Sequence, residues 1–508
     1  MNVLRLVSCL VASTGLIAVA AGCASNPCAD GTFPAVSGTV LRVSASCGSA
    51  SGDGSEASPF DQIGAAVAAA HGGTTIVIGS GTYAESISLN AAIHLRGAGS
   101  TDVVVLPPAG QIGIAAEGSG TIRIEGLSVH KAAPVGIAVA GLSLDGRDIT
   151  VIETQRVEIE GGWVGGHGLQ VTDSPGAHLE GVQITGNTGT GFLAVGVGEV
   201  AIIDPTFIVN PSFQPQNNGD EAGIVNPSFS VASQTSFAGN WGGGIAIVNP
   251  SFAPVPGKGD GVDIVAPSFR IGGAMIDENK VFGIALFGAT GDIERTAIRG
   301  TIKVGNDVAD GLVVASGSTA MDRELEVRVD AHSVIADNGR AGVLTASRAG
   351  DGFAIRAVIG GDVSHNLFGG AWGQGDRAEI QVDDSARLSA NRLVGVAGSG
   401  KARLDIRAAR IDHTEAVGWG AATGIDEQVG DGVGVFKGAR ASLKGTRLNG
   451  NARAGIVIDE AAETASGGAA DVTASDVQVS GGQIGVAVNK GSAPATALLT
   501  AGAVTMDQ

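Results

Sequence analysis

Aromatic residues make up only 4% of this chain, and tyrosine occurs once, at Tyr83. A core built on large rings is therefore excluded, because such cores draw 150–250 Å² of burial from each ring. Cysteine occurs four times in 508 residues, too few for a disulfide framework to replace a hydrophobic core. Basic residues are scarce: 31 Lys and Arg stand against 50 Asp and Glu, a net charge of −19. No basic stripe is visible along the sequence, which argues against nucleic acid as a partner. The same charge disfavours polyanionic sugars unless a metal bridges them, and calcium on surface carboxylates is the one cofactor left open. Outside residues 60–70 no stretch carries a convincing helical period.

What is present is glycine, 82 residues of it, more than twice the usual ~7%. It falls into a repeat: apolar–x–x–Asn–x–x–x–Gly followed by an apolar residue or Ala. The Asn/Gly pairs are Asn187/Gly191, Asn240/Gly244, Asn279/Gly283, Asn338/Gly342, Asn366/Gly370, Asn391/Gly395 and Asn451/Gly455. Asn tolerates the left-handed conformation and suits a tight corner. Gly then opens a strand with period-two alternation, as in Gly455-Ile456-Val457-Ile458. Similar starts without the Asn occur at Gly136, Gly168, Gly223, Gly261, Gly311, Gly432 and Gly485. A coil that recurs every twenty-odd residues, with variable loops, is the sequence signature of a parallel β-helix. Roughly fifteen to eighteen coils at about 4.8 Å each would make one rod on the order of 80 Å long.

Residues 1–22 read as an export signal: Arg5 is followed by a largely apolar run from Leu6 to Ala20, too short for a confident membrane span. Its end has two readings. Ala18-Val19-Ala20 is an ordinary cleavage site, whereas Ala20-Ala21-Gly22-Cys23 resembles a bacterial lipoprotein box, with Ala20 where Leu is usual. Removal of the leader with Cys9 leaves Cys23, Cys28 and Cys47, an odd number in an exported protein. The resemblance implies lipid on Cys23, and Cys28 and Cys47 are then left to pair. Without lipid, one thiol is spare in a soluble secreted protein.

From about Thr39 to Gly97 the chain resembles the opening of right-handed parallel β-helix proteins of the pectate-lyase-like superfamily. The matching residues are Val40-Leu41-Arg42-Val43, a polar loop ending Ser58-Pro59-Phe60, a short helix from Ile63 to Ala70, and Gly73-Thr74-Thr75-Ile76-Val77-Ile78. They continue through Gly81-Thr82-Tyr83-Ala84-Glu85 and Ile93-His94-Leu95-Arg96-Gly97. The helix has the size to plug the open end of the first coil, which is otherwise an exposed sheet edge. The expected architecture is all-β: a single right-handed parallel β-helix solenoid with a short N-terminal capping helix. Its segments are a signal peptide (1–22), an anchor or linker (23–38), the cap with the first coils (39–97) and the repeats (98–508). The resemblance is specific for fold and nearly silent on activity.

A second repeat lies inside the first: Asp204-Pro205-Thr206-Phe207, Asn210-Pro211-Ser212-Phe213, Asn226-Pro227-Ser228-Phe229, Asn249-Pro250-Ser251-Phe252 and Ala266-Pro267-Ser268-Phe269. Proline ends each strand, and the repeat predicts a Phe column at one corner of consecutive coils. Gly166-His167-Gly168 matches a polygalacturonase tripeptide, but the family's other signatures (Asn-Thr-Asp, an upstream Asp-Asp pair, Arg-Ile-Lys) are missing. The Arg-x-Pro-x-x-Arg of classical pectate lyases is missing too, and the eight His do not cluster at metal-ligand spacing.

The best candidate surface comes from register. Ten residues before Asn338, Asn366 and Asn391 stand Arg328, Arg356 and Gln381, and Arg407 extends the column. Glu326, Asp330, Glu379, Asp383 and Asp405 flank it. Arg328, Asp330, Arg356, Asp383 and Arg407 are thus the candidate catalytic residues should the protein be a lyase, with carboxylates to hold calcium. The same pattern describes a solvated sheet face with cross-strand ion pairs, and acidic neighbours would keep such arginines protonated and unfit as bases. The four Trp are scattered, at 163, 241, 372 and 419, with no visible sugar-stacking cluster. The preferred reading is an exported, lipid-anchored monomeric β-helix of the bacterial envelope, at the outer membrane or cell surface. Its role is binding or structural, with a polysaccharide or envelope component as partner and the membrane reached through the anchor. The competing readings are a secreted protein without lipid and a polysaccharide lyase or glycoside hydrolase.

Overall fold

The computed structural model describes residues 33–90, 92–160, 162–203, 235–248, 268–303, 309–316, 324–348, 351–418, 428–459, 470–489, 498–501 and 504–507. They form a parallel β-helix with three faces. The first face stacks strands such as Leu325–Val329, Ile355–Ile359 and Ala378–Val382. A short corner leads to the second face, with Val334–Ala336, Asp362–Ser364 and Arg387–Ser389. Thr121–His130 and Ser143–Ile152 run through both without a break, so the two faces join into one 29-stranded sheet. After the asparagine corner comes the third face, from Ile87–Leu89 to Ile484–Asn489. The only helix among the described residues, Ile63–Ala69, buries Ile63 and Ala66 over the first coil. Gln62 supplies no side-chain cap there; the Glu85 carboxylate instead accepts from the Ile63 and Gly64 N–H groups, both at 2.7 Å.

The seven repeat asparagines do stand at one corner, but not in the role assigned to them from sequence. The left-handed residue is the one before each ladder residue: Gly186, Gly239, Glu278, Asp337, His365, Ala390 and Gly450 all have φ between 50° and 66°. That twist turns the Asn side chain inward, where each is at most 1% exposed. There the amides stack. Asn338 Nδ2 donates to Asn366 Oδ1, and Asn366 Nδ2 to Asn391 Oδ1, each at 2.9 Å. The Asn187–Asn240–Asn279 stretch has the same two distances. Each Oδ1 also accepts the backbone N–H of the preceding coil, as from Asn338 and Asn366 at 3.1 Å. Thr154, Thr301 and Thr414 carry the column where Asn is absent, their N–H groups donating to Asn187, Asn338 and Asn451.

The glycine that opens each third-face strand is there for space. A Cβ on Gly342 would lie 2.5 Å from Val363 Cγ1 and 2.7 Å from both Asn366 Nδ2 and the Gly370 carbonyl. Gly and Asn of neighbouring coils are therefore one steric unit, which is why they recur at fixed spacing.

Two of the glycine starts open no rung. Thr190–Val195 pairs directly with Gly243–Val248, and that strand with Phe282–Phe287. No rung intervenes for Gly223 or Gly261, which lie outside the described residues. The first face, from Val40–Val43 to Leu498–Ala501, stacks sixteen successive strands over about 72 Å, within the fifteen to eighteen coils expected. Four of the five Pro-x-Phe units also lie outside. Of the fifth, Phe269 is buried within Ser268–Gly272, paired with Val200 and Gly291, so its rung neighbours are not Phe. Cys47 is disulfide-bonded. Cys9, Cys23 and Cys28 lie outside the described residues. Among the described residues no helix is long and apolar enough to cross a membrane.

Replacing Asn366 with Ala should orphan the donors of Asn338 and cost about 3 kcal/mol. Asn366→Thr should cost roughly half that, since Thr already carries the column elsewhere. Urea unfolding of the two variants measures this; an Ala variant as stable as the parent would remove the ladder as a source of stability.

Candidate functional site

The residues singled out on the first face are all there, but not in one column. Arg328 pairs in register with Val358 and then Gln381, while Arg356 pairs with Glu326 and Glu379. Counting ten back from the asparagine fails in this coil because Gly360-Gly361 shortens its corner by two residues relative to 330–333. The side chains form an alternating ion-pair ladder. Arg356 reaches Glu379 at 2.7 Å and Glu326 at 3.2 Å, and Arg403 lies 3.7 Å from the other Glu379 oxygen. Arg328 donates to Glu326 at 2.6 Å, and Arg407 is held by Asp405. The carboxylate contacts raise the Arg356 and Arg407 guanidinium pKa further above the ordinary value, chiefly through hydrogen bonds to Glu379 and Asp405. Neither can serve as a base near neutral pH.

The two aspartates serve local structure. Asp330 ends its strand and accepts from Ser333 Oγ at 2.6 Å and from the N–H groups of Arg295 and His332. Asp383 accepts from Gln381 at 2.8 Å. Among the described residues no group of three His, Cys, Asp or Glu is placed to hold a metal ion.

A different site lies on the outer side of the asparagine corner. After Thr154 the chain leaves the coil as an antiparallel hairpin, Arg156–Ile159 against Gly162–Gly165. This carries Trp163 into solvent, 62% exposed. Thr188 and Trp241 follow Asn187 and Asn240 directly, so the ladder stacks them on successive coils. Together Gln155, Arg156, Trp163, Thr188 and Trp241 line an open cleft of about 270 Å³. The Arg156 guanidinium stands 5.6 Å and the Lys280 Nζ 4.2 Å from the Trp241 ring centroid. Both are cation–π contacts that hold the indole in place. Arg156 N–H donates to Thr188 Oγ1 at 2.7 Å, tying the hairpin to the next coil. His167, behind the hairpin, accepts the Thr190 N–H at Nδ1, and burial followed by the nearby Arg156 lowers its pKa. It is a neutral structural acceptor.

Trp163 and Trp241 are 78 positions apart in sequence, and only the ladder's register brings them together. The scatter of Trp along the chain thus concealed the aromatic cluster. Trp372 sits apart on the third face, stacked with Phe436 at 6.1 Å between ring centroids; Trp419 lies outside the described residues.

The second face holds a buried polar group missed from sequence. Asp362, Arg387 and Arg410 are register neighbours, as are Ser364, Ser389 and Asp412. Asp412 is 1% exposed and lies 3.2 Å from Arg410 and 3.5 Å from Arg387. Burial raises the Asp362 carboxyl above the ordinary range, against the lowering effects of Ser364 and Arg387.

No family model matches the sequence, and no curated protein matches it. The fold defines the class: a parallel β-helix. Among solved structures it is similar to the Azotobacter vinelandii mannuronan C-5 epimerase AlgE6 A-module at 13% identity and a TM-score of 0.35, covering 87% of this chain and 93% of that one. It is also similar to the catalytic domain of a GH87 α-1,3-glucanase in complex with tetrasaccharides (11%, TM-score 0.35, 84% and 63%). The periplasmic alginate epimerase AlgG is a third such structure (9%, TM-score 0.34, 84% and 78%).

A folded-state carboxyl pKa above its unfolded value means the native state binds the proton more tightly. Stability is then greatest below the ordinary Asp value near ~3.9 and is lost as pH rises through the raised value. Asp362→Asn should therefore stabilise the protein at neutral pH, and the gain should vanish as the pH falls toward ~4. Urea midpoints of the two proteins at both pH values check the sign.

Proposed function

We propose that this protein is an exported parallel β-helix that binds polysaccharide, without catalysis, through the Trp163–Trp241 cleft. The observation that carries the reading is the cleft itself. Two partly exposed indoles offer apolar faces for sugar rings, and the Gln155 amide and Arg156 guanidinium offer donors beside them. An open, shallow aromatic site with a few convergent polar groups on a rigid corner is suited to gripping a chain rather than enclosing a small molecule. A binding role is supported over a lyase by the first face, where every candidate arginine is neutralised by a carboxylate.

Export is supported by the disulfide at Cys47, since such bonds persist in oxidising compartments. We place a lipid on Cys23 and pair Cys28 with Cys47, which leaves no thiol spare, and we expect a monomer at the outer membrane or cell surface.

Trp163→Ala and Trp241→Ala should each weaken retention on immobilised polysaccharide by about tenfold, the loss of one stacking platform. Affinity electrophoresis in a panel of neutral and acidic glycans reads this out; equal mobility of parent and both variants in every gel rules the cleft out. Cys23→Ser should move the protein from the membrane to the soluble fraction. A mature N-terminus found by mass spectrometry to be unmodified and to begin at Ala21 would end the lipid reading.

A further inference from the structure

The charge on this chain is not evenly spread. Residues 387–453 carry eleven Lys and Arg against six Asp and Glu, a net of +5, which leaves −24 for the remainder. A basic stripe invisible along the sequence appears once the coils are stacked. On the second face Arg387 pairs in register with Arg410, and Arg410 with Arg447. On the first face Arg403 pairs with Arg440, and Arg407 with Lys444. Only a two-residue corner, Ala408-Ala409, separates the two faces here, so these columns flank one edge of the rod.

This arrangement costs stability. Like charges directly opposite across a parallel pair repel. Elsewhere the same faces avoid it: Arg123 opposes Asp145, Asp277 opposes Arg299, Arg270 opposes Asp292, and Glu326, Arg356, Glu379 and Arg403 alternate. Four cation-on-cation pairs therefore break the rule that the other described strands of these faces keep. Arg403, Arg407 and Arg410 hold single carboxylates and are still 67%, 59% and 56% exposed. Arg440, Lys444 and Arg447 are exposed; on the next coil Arg440 is opposed by Asp471, whereas Lys444 and Arg447 face only Ser475 and Gln478.

We infer that this edge is a second binding site, for a single extended acidic polysaccharide, whose carboxylates lie between the stacked cations and are held without a bridging metal. Arginine forks grip carboxylates bidentately, and a column with one cation per coil follows a linear chain along the rod axis. A DNA duplex or a bilayer is too broad for the ridge and meets the flanking acidic surface. Among the described residues the ridge also shows no outward aromatic for a base to stack on. The site is separate from the tryptophan cleft and does not depend on it.

The test is isothermal titration of the whole protein with a size-defined oligouronate in EDTA, beside the same oligomer with its carboxyls reduced to alcohols. Binding should be confined to the acidic oligomer, weaken with added salt, and survive in Trp163→Ala/Trp241→Ala. Lys444→Gln/Arg447→Gln should lower the affinity about tenfold or more while its melting temperature stays level or rises, because each of these cations opposes an arginine on one side and an uncharged residue on the other. A purely structural role for these two cations would lower the melting temperature instead. Equal affinity for the reduced oligomer, or an unchanged affinity in the double variant, overturns the proposal. So does tighter binding to duplex DNA or to phosphatidylglycerol vesicles than to the oligouronate.

Discussion

Everything in this molecule depends on one contact: a buried asparagine amide that satisfies its donors and acceptor against the coil above and the coil below. A buried amide left unpaired costs more than a made hydrogen bond returns, so a slip by one residue in any coil would be penalised at the corner before it was felt in the sheets. The opening glycine reinforces this. Gly342 admits no Cβ between Val363, Asn366 and Gly370. The residue before the asparagine accepts left-handed geometry even when it is Glu278, Asp337, His365 or Ala390, a strain of roughly 1–2 kcal/mol each for which the ladder compensates.

Register, once locked at this corner, decides which surface residues meet. That is how Trp163 and Trp241 come to share a cleft, and how Arg156 and Lys280 come to brace one indole. The corner is also where the chain leaves and re-enters the coil. The hairpin at 156–165 is an insertion that the ladder tolerates because Thr154 and Asn187 are stacked regardless of what lies between. Insertions can carry function here for the same reason that they do not disturb the core.

The outer faces show the opposite logic. Over much of the rod, alternating charges on successive coils turn a solvated sheet into a ladder of cross-strand pairs, and such pairs hold arginine protonated. Near residues 387–453 the alternation gives way to columns of one sign. Nothing in the core asks for this change, since Leu388, Ile411 and Leu448 are buried there like the equivalent residues elsewhere.

Much of the fold was legible in the chain. Asn and Gly recur at fixed spacing because the steric and hydrogen-bonding demands of the corner are met within one coil, so local sequence contains them. The capping helix and the alternation of each strand are equally local. The left-handed position was not legible, because glycine, acidic residues, His and Ala all occupy it. Gly-apolar pairs at 223 and 261 look like rungs, and only the direct pairing of Thr190–Val195 with Gly243–Val248, and of that strand with Phe282–Phe287, shows that neither opens one. The surface was decided by tertiary structure alone. Whether Arg356 faces Glu379 or lines up with Arg328 depends on a corner shortened at Gly360-Gly361, and whether Arg410 meets Arg387 and Arg447 depends on coils 23 and 37 residues away. The sequence by itself determined the coil, because each coil's constraints are short-range. The sites belong to the stack, because a parallel sheet makes neighbours of residues whose separation is set by loops of variable length.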